Sequence, residues 1–146
     1  MRVVCDTSVL VEVDRGNEQV VQLLKRLMEA EDELIISIVT VAELLTGAYL
    51  RRDTHISVLN VKEVMNQFTW RDVDEEIAEM AAKMCAFLIS EKREYDFADV
   101  LIGATLLCEH ADTLITLNKK DFVVFPQLKD RVLTPEEFEG KQRKKR

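Results

Sequence analysis

Five oxygen-bearing side chains fall just beyond segments that read as strands or at the start of a helix. Asp6 follows Val3-Val4-Cys5, and Glu43 comes soon after Leu34-Ile35-Ile36-Ser37-Ile38. Asp99 opens the helical stretch 97–110, while Asn118 and Asp121 follow Leu114-Ile115-Thr116. Converging carboxylates repel one another and raise one another's proton affinity. Hard divalent ions such as Mg²⁺ or Mn²⁺ relieve that repulsion, because they prefer oxygen ligands and retain waters. An ion held there can neutralise a phosphate and activate water for in-line attack on a phosphodiester. The chain offers no better nucleophile. His55 and His110 lie on helical segments among apolar neighbours, neither Ser8 nor Ser37 occupies a nucleophile elbow, and there is no glycine-rich phosphate loop.

Taken singly, each acid has an ordinary structural role. Thr40-x-x-Glu43 has the spacing of a capping box, Asp96 can cap a helix whose first turn carries Asp99, and Asp6 can close a turn. Capping alone, however, does not require all of them to gather at one sheet edge. In open parallel sheets, ligands bind beyond the carboxyl ends of the strands. Arg15, Arg51, Arg52, Lys119 and Lys120 lie near the ends of the same segments and could form a basic rim, or be solvated surface residues.

The elements that must position these groups alternate. Short apolar runs at 3–5, 34–38, 68–70, 114–116 and 132–133 read as strands buried on both faces, which suits a parallel sheet. Amphipathic patterns between them predict helices over 18–30, 41–50, 56–68, 75–90 and 97–110. Asp74 can cap the helix at 75, and Thr134-Pro135-Glu136-Glu137 starts a short C-terminal one. The pattern is one α/β/α domain with a mostly parallel sheet.

Composition sets the frame. A chain of 146 residues, 47% hydrophobic and 32% charged, suits one folded domain. No apolar run is long enough to span a bilayer, and Asp6 comes too early for a secretory signal, so a cytoplasmic location without membrane attachment is expected. Cys5, Cys85 and Cys108 are widely spaced among apolar neighbours, which reads as buried free thiols rather than a zinc site. The last six residues carry five positive charges and leave residues 1–140 at −12, against −7 overall. So acidic a body repels nucleic acid unless cations intervene. The division expected is a domain at 1–139 and a basic, disordered tail at 140–146, which could be a solvated terminus or a nucleic-acid arm.

At these residues the sequence resembles the PIN-domain ribonucleases, most closely the VapC-type toxins of prokaryotic toxin–antitoxin pairs. The resemblance rests on Asp6-Thr7-Ser8 after the first strand, 37–44 around Glu43, 99–106 from Asp99, and 114–122 with Asn118 and Asp121. It covers nearly the whole chain. It implies a three-layer PIN-like fold with a parallel five-stranded sheet of order 3-2-1-4-5. It also implies an endoribonuclease dependent on Mg²⁺ or Mn²⁺, with Asp6, Glu43 and Asp99 as its metal-binding acids. Many members place a fourth acid where this chain has Asn118; Asp121 matches another recurrent acid and could substitute, so either residue could complete the site. Thr7 or Ser8 and Thr116 could add hydroxyl contacts. Such toxins commonly form homodimers and are held inactive by a small antitoxin. The broad apolar surface of 75–90, with Met80, Met84 and Phe87, suits a dimer face or core packing. Two other readings stay open: a catalytically silent PIN-like scaffold, kept alive by Asn118, and a phospho-acceptor module, disfavoured because Asp6 stands alone.

Overall fold

The computed structural model describes all 146 residues. Five parallel strands, β1 (Arg2–Cys5), β2 (Glu33–Ser37), β3 (Thr69–Arg71), β4 (Thr113–Ile115) and β5 (Val132–Leu133), lie in the order β3-β2-β1-β4-β5. Successive strand residues point to opposite faces, so β1, β2 and β4 feed two cores, as does the short β5. Strand β3, expected to be buried on both faces, instead lies at the sheet edge with Thr69 and Trp70 exposed. Val3, Cys5, Leu34, Ile36, Ile115 and Leu133 enter one apolar cluster, while Val4, Ile35, Leu114 and Val132 enter the other.

The first cluster is covered by α1 (Thr7–Asp14), α2 (Glu18–Glu29), α3 (Ile38–Tyr49), α4 (Thr54–Met65) and α7 (Pro135–Lys145). The second is covered by α5 (Glu75–Ser90), α6 (Phe97–Cys108) and the turn residues Phe122, Phe125 and Leu128. Three layers and a parallel sheet follow, as the resemblance implies. Helix starts match their chemistry. Asn17, Asp74 and Asp96 accept hydrogen bonds from the N–H groups of Val20, Ile77 and Ala98, and Thr134 with Glu137 forms a complete capping box. Four helices close through paired 6→1 and 5→2 backbone bonds around a residue of positive φ: Gly16 (80°), Glu31 (59°), Lys92 (56°) and His110 (49°).

Several expectations need correction. Helix α1 was not anticipated; its Val9-Leu10-Val11-Glu12-Val13 run has no strong helix propensity, and burial of Val9 and Leu10 against the sheet overrides that. Helix α3 begins at Ile38, capped by Ser37, which accepts from the Val39 N–H at 3.1 Å. Thr40 is therefore a buried helical residue and not a cap, and Glu43 lies in the second turn, so the proposed capping box does not form. Residues 140–145 are not disordered but continue α7, with the basic side chains at its negative C-terminal end. On α5, Met84 is buried in the core, while Met80 and Phe87 flank it half-buried. No helix is long and apolar enough to cross a membrane.

Candidate active site

The carboxyl ends of β1, β2 and β4 converge at a cleft of about 1090 Å³, bordered by Asp6, Glu43, Asp99, Asn118 and Asp121. All five residues selected from the sequence thus reach one place. Asp6 occupies the N-cap position of α1, yet its side chain does not cap the helix. Its Oδ2 instead accepts from Ser8 Oγ at 2.7 Å and from Thr116 Oγ1 at 2.8 Å. Those hydroxyls in turn accept the N–H groups of Leu117 at 3.1 Å and Asn118 at 2.9 Å. Asp6 is buried, and its Oδ1 receives no hydrogen bond from the protein. Since no fully buried side-chain oxygen lacks a partner, that atom faces the open cleft.

Glu43 is held by a second hydroxyl relay. Thr7 Oγ1 donates to Glu43 Oε1 at 2.9 Å and lies 2.9 Å from Thr40 Oγ1. A hydroxyl has one proton, so Thr40 is the donor between the two threonines. Glu43 is exposed as a residue, but its carboxyl group stands in the cleft wall. Lost hydration, with Asp6 and Asp96 nearby, raises its pKa against the lowering hydrogen bond from Thr7.

Asp99 lies half-buried in the first turn of α6, behind the Asp96 cap. Burial foremost, then the charges of Asp6, Asp96, Asp121 and Glu43, push its pKa up to about 7. The acids share the cleft without closing into a finished shell: no three acidic, histidine or cysteine side chains stand together at ligand spacing. The donor set nonetheless fits a hard divalent ion: carboxylate oxygens, an open Asp6 Oδ1, and an acid whose ionised form the other acids destabilise.

The rim differs from expectation. Arg15 and Lys120 border the cleft, but Arg51, Arg52 and Lys119 do not. Arg51 pairs with Asp14 at 3.0 Å, and Lys119 pairs with Glu137 at 2.9 Å. The sequence reading missed Arg93, Tyr95 and Glu12 as cleft residues and saw Asp96 only as a cap. A cation within an acidic, aromatic connection was the available signal for Arg93. Arg71, at the end of β3, does not border the cleft. Arg71 is tied instead to Asp74 and Glu109 in an ion network.

Residues 3–127 match the PIN domain family. Ribonuclease VapC19 of Mycobacterium tuberculosis is 31% identical over 123 residues, covering 84% of this chain and 94% of that protein. VapBC2 from Rickettsia felis, solved with a DNA fragment from its promoter, superposes with a TM-score of 0.83 at 19% identity, covering 92% of this chain and 98% of that chain. A toxin–antitoxin complex from Klebsiella pneumoniae superposes with a TM-score of 0.65 at 25% identity, covering 91% and 97% of the two chains.

Proposed function

Because this chain belongs to the PIN domain family, we propose that it is a ribonuclease of the VapC type, the toxin of a toxin–antitoxin pair, hydrolysing RNA phosphodiester bonds within the chain. The observation that carries this reading is the meeting of Asp6, Glu43 and Asp99 in one cleft, each brought there by a different element.

In this reading Asp6, Glu43 and Asp99 hold Mg²⁺ or Mn²⁺, and Asn118 or Asp121 completes the set. The bound ion supplies positive charge for the scissile phosphate and makes water acidic enough to serve as nucleophile near neutral pH. Ser8 and Thr116 fix Asp6 through Oδ2 and leave Oδ1 toward the cleft. Thr7 steers Glu43 in the same way. Such outer partners orient ligands, and their loss typically weakens metal binding tenfold or more. Asp99 must give up its proton to bind a cation, so affinity for the ion should rise as pH passes through about 7. Arg15, Arg93 and Lys120 offset the repulsion that an acidic body exerts on RNA.

A small cognate antitoxin, a homodimer and a cytoplasmic location belong to the same proposal. The family likeness supports the antitoxin, and half-buried Met80 and Phe87 beside exposed Ile89 on α5 support self-association. We assign the nuclease unit to residues 1–139, from which α7 carries the basic end. The test is cleavage of a structured RNA pool by antitoxin-free protein with Mg²⁺ or Mn²⁺, comparing wild type, Asp99→Asn and an EDTA control. Cleavage that needs the ion and vanishes in the variant is expected. Metal-independent cleavage would overturn the metal site, and no cleavage from folded protein would overturn the nuclease reading in favour of the silent scaffold.

A further inference from the structure

We propose that RNA extending beyond the cleft is held at a second site, a groove beside α7 in which Lys129, Lys141 and Lys144 bind backbone phosphates. The inference rests on the nuclease reading. It adds a binding surface remote from the acids, which makes affinity depend on RNA length.

The groove encloses about 530 Å³ along α7 and β5. Lys119, Lys129, Lys141 and Lys144 line it, and Asp130 and Glu137 are its only acids. The lysines come from three segments. Lys119 follows β4, Lys129 precedes β5, and the other two lie on α7. Glu137, Gly140, Lys141 and Lys144 are three or four residues apart, so one stripe of α7 faces the groove. Lys119 is engaged by Glu137 at 2.9 Å, but Lys129, Lys141 and Lys144 are exposed and enter no ion pair. Gly140 adds no side chain, and a Cβ there would meet nothing within 4 Å, so the groove stays open along the helix.

Cations in the last turn of a helix gain from its dipole. That accounts for Lys144 but not for Lys129, which reaches the same groove from another segment. Three unpaired ammonium groups gather here in a chain that is acidic overall, and they suit a run of phosphates. The groove also adjoins the reaction site. Lys120 borders the cleft and its neighbour Lys119 borders the groove, so the two surfaces meet at the turn after β4. From there α7 descends to Arg143 and Arg146, which lie near Met1 and Asp32 at the amino ends of β1 and β2. Its 11 residues extend about 16 Å at ~1.5 Å per residue. A stacked strand rising ~3.4 Å per nucleotide covers that in roughly five nucleotides. RNA cut in the cleft therefore reaches Lys144 only when several nucleotides continue past the cut.

The test is fluorescence anisotropy with a fluorescein-labelled 20-nucleotide RNA and with its terminal six-nucleotide segment alone. Ca²⁺ replaces Mg²⁺, and a gel checks that the strands stay intact. A groove variant, Lys129→Gln with Lys141→Gln and Lys144→Gln, is compared with a control, Lys25→Gln with Lys62→Gln and Lys83→Gln. The control makes the same charge change on α2, α4 and α5. The groove variant should bind the long RNA about tenfold or more weaker than wild type. Its slope of log affinity against log salt should fall by about 2, as expected for three single-strand phosphate contacts. The control should bind like wild type, and all three proteins should bind the short RNA alike. Unchanged thermal melting will show that the exposed substitutions leave the fold intact. A groove variant that binds the long RNA like wild type, or a control that loses as much, would overturn the groove. If wild type then still cleaves RNA with Mg²⁺ and Asp99→Asn does not, the nuclease reading survives. The lysines would in that case serve another polyanion, which a DNA duplex in the same assay would reveal. If wild type neither binds nor cleaves RNA, the nuclease reading falls and the groove with it.

Discussion

Thr116 donates its hydroxyl to Oδ2 of Asp6 at 2.8 Å, joining the residues that follow β4 and β1. The register makes this contact. Cys5 is paired with Ile115, and the Asp6 N–H bonds to Ile115 O at 3.0 Å, so Asp6 and Thr116 come next on neighbouring strands. Thr116 is fully buried, and its oxygen also accepts the Asn118 N–H at 2.9 Å. One side chain therefore aims an acid into the cleft and shapes the turn that carries Asn118.

Thr116→Val should keep the side-chain volume and remove both bonds. The expected cost is about 1–3 kcal/mol of stability, measured by urea unfolding, because a hydrogen bond to a charged group is lost. Metal binding, followed by calorimetric titration, should weaken tenfold or more. Thr116→Ser should recover most of both; a valine variant that binds metal like wild type would remove the relay from the mechanism.

Asp99→Asn should abolish cleavage while changing how metal-free stability depends on pH. The Asp99 pKa is raised from 3.8 unfolded to about 7 folded. Within that window the folded chain binds more protons than the unfolded one, so this group's contribution to stability falls as pH rises. Melting in EDTA should therefore show wild type losing ground to Asp99→Asn between about pH 4 and pH 7, the window these pKa values define. Added Mg²⁺ should reverse the trend for wild type alone. A pH-independent difference between the two proteins would show that burial and the other acids exert no such pressure on Asp99.

Asn118→Asp and Asp121→Asn separate the two candidates for the fourth ligand. Asn118 follows Leu117 at the cleft edge, and its side chain makes no hydrogen bond within the protein. Adding a carboxylate there should tighten Mn²⁺ binding by about tenfold, near the energy of one charge-assisted contact. If Asp121 is the working ligand, Asp121→Asn should weaken binding by a similar factor and Asn118→Ala should leave it unchanged. The opposite pattern would assign the role to the Asn118 carbonyl.

Gly103 governs how closely α6 approaches its neighbours. A Cβ built there would lie 3.0 Å from Leu128 Cδ1 and 3.0 Å from Met84 Cε, the ends of two flexible side chains. Gly103→Ala should stay within about 1 kcal/mol of wild type, since improved helix propensity offsets the small displacement. Gly103→Val should destabilise by about 1–3 kcal/mol through overpacking. Chemical denaturation of both variants distinguishes this close approach from a loosely filled gap, in which valine would be tolerated.

Much of the architecture was legible because its signals are local. The apolar runs at Val3–Cys5, Leu34–Ile36 and Leu114–Ile115 marked the strands, and Asp74, Asp96 and Thr134 marked helix starts, since a cap and its N–H lie two or three residues apart. The strand order came from the family resemblance, because periodicity does not say which strands pair. The acids Asp6, Glu43 and Asp99 stood out by type and by position after strands or at helix starts, and the cleft does bring them together.

Other features needed the tertiary structure, for one physical reason: their partners are far away along the chain. The helical state of Val9–Val13 was decided by burial against the sheet rather than by propensity. Thr40 looked like a cap until Ser37 took that place and left it facing Thr7, 33 residues away. Lys119 looked like part of the cleft rim until Glu137, 18 residues on, engaged it, while Arg93 joined the rim because no carboxylate does. Asp6 could as easily have capped α1. Thr116, 110 residues away, turns its carboxylate toward the cleft, and only the alignment of β1 with β4 puts that hydroxyl within reach.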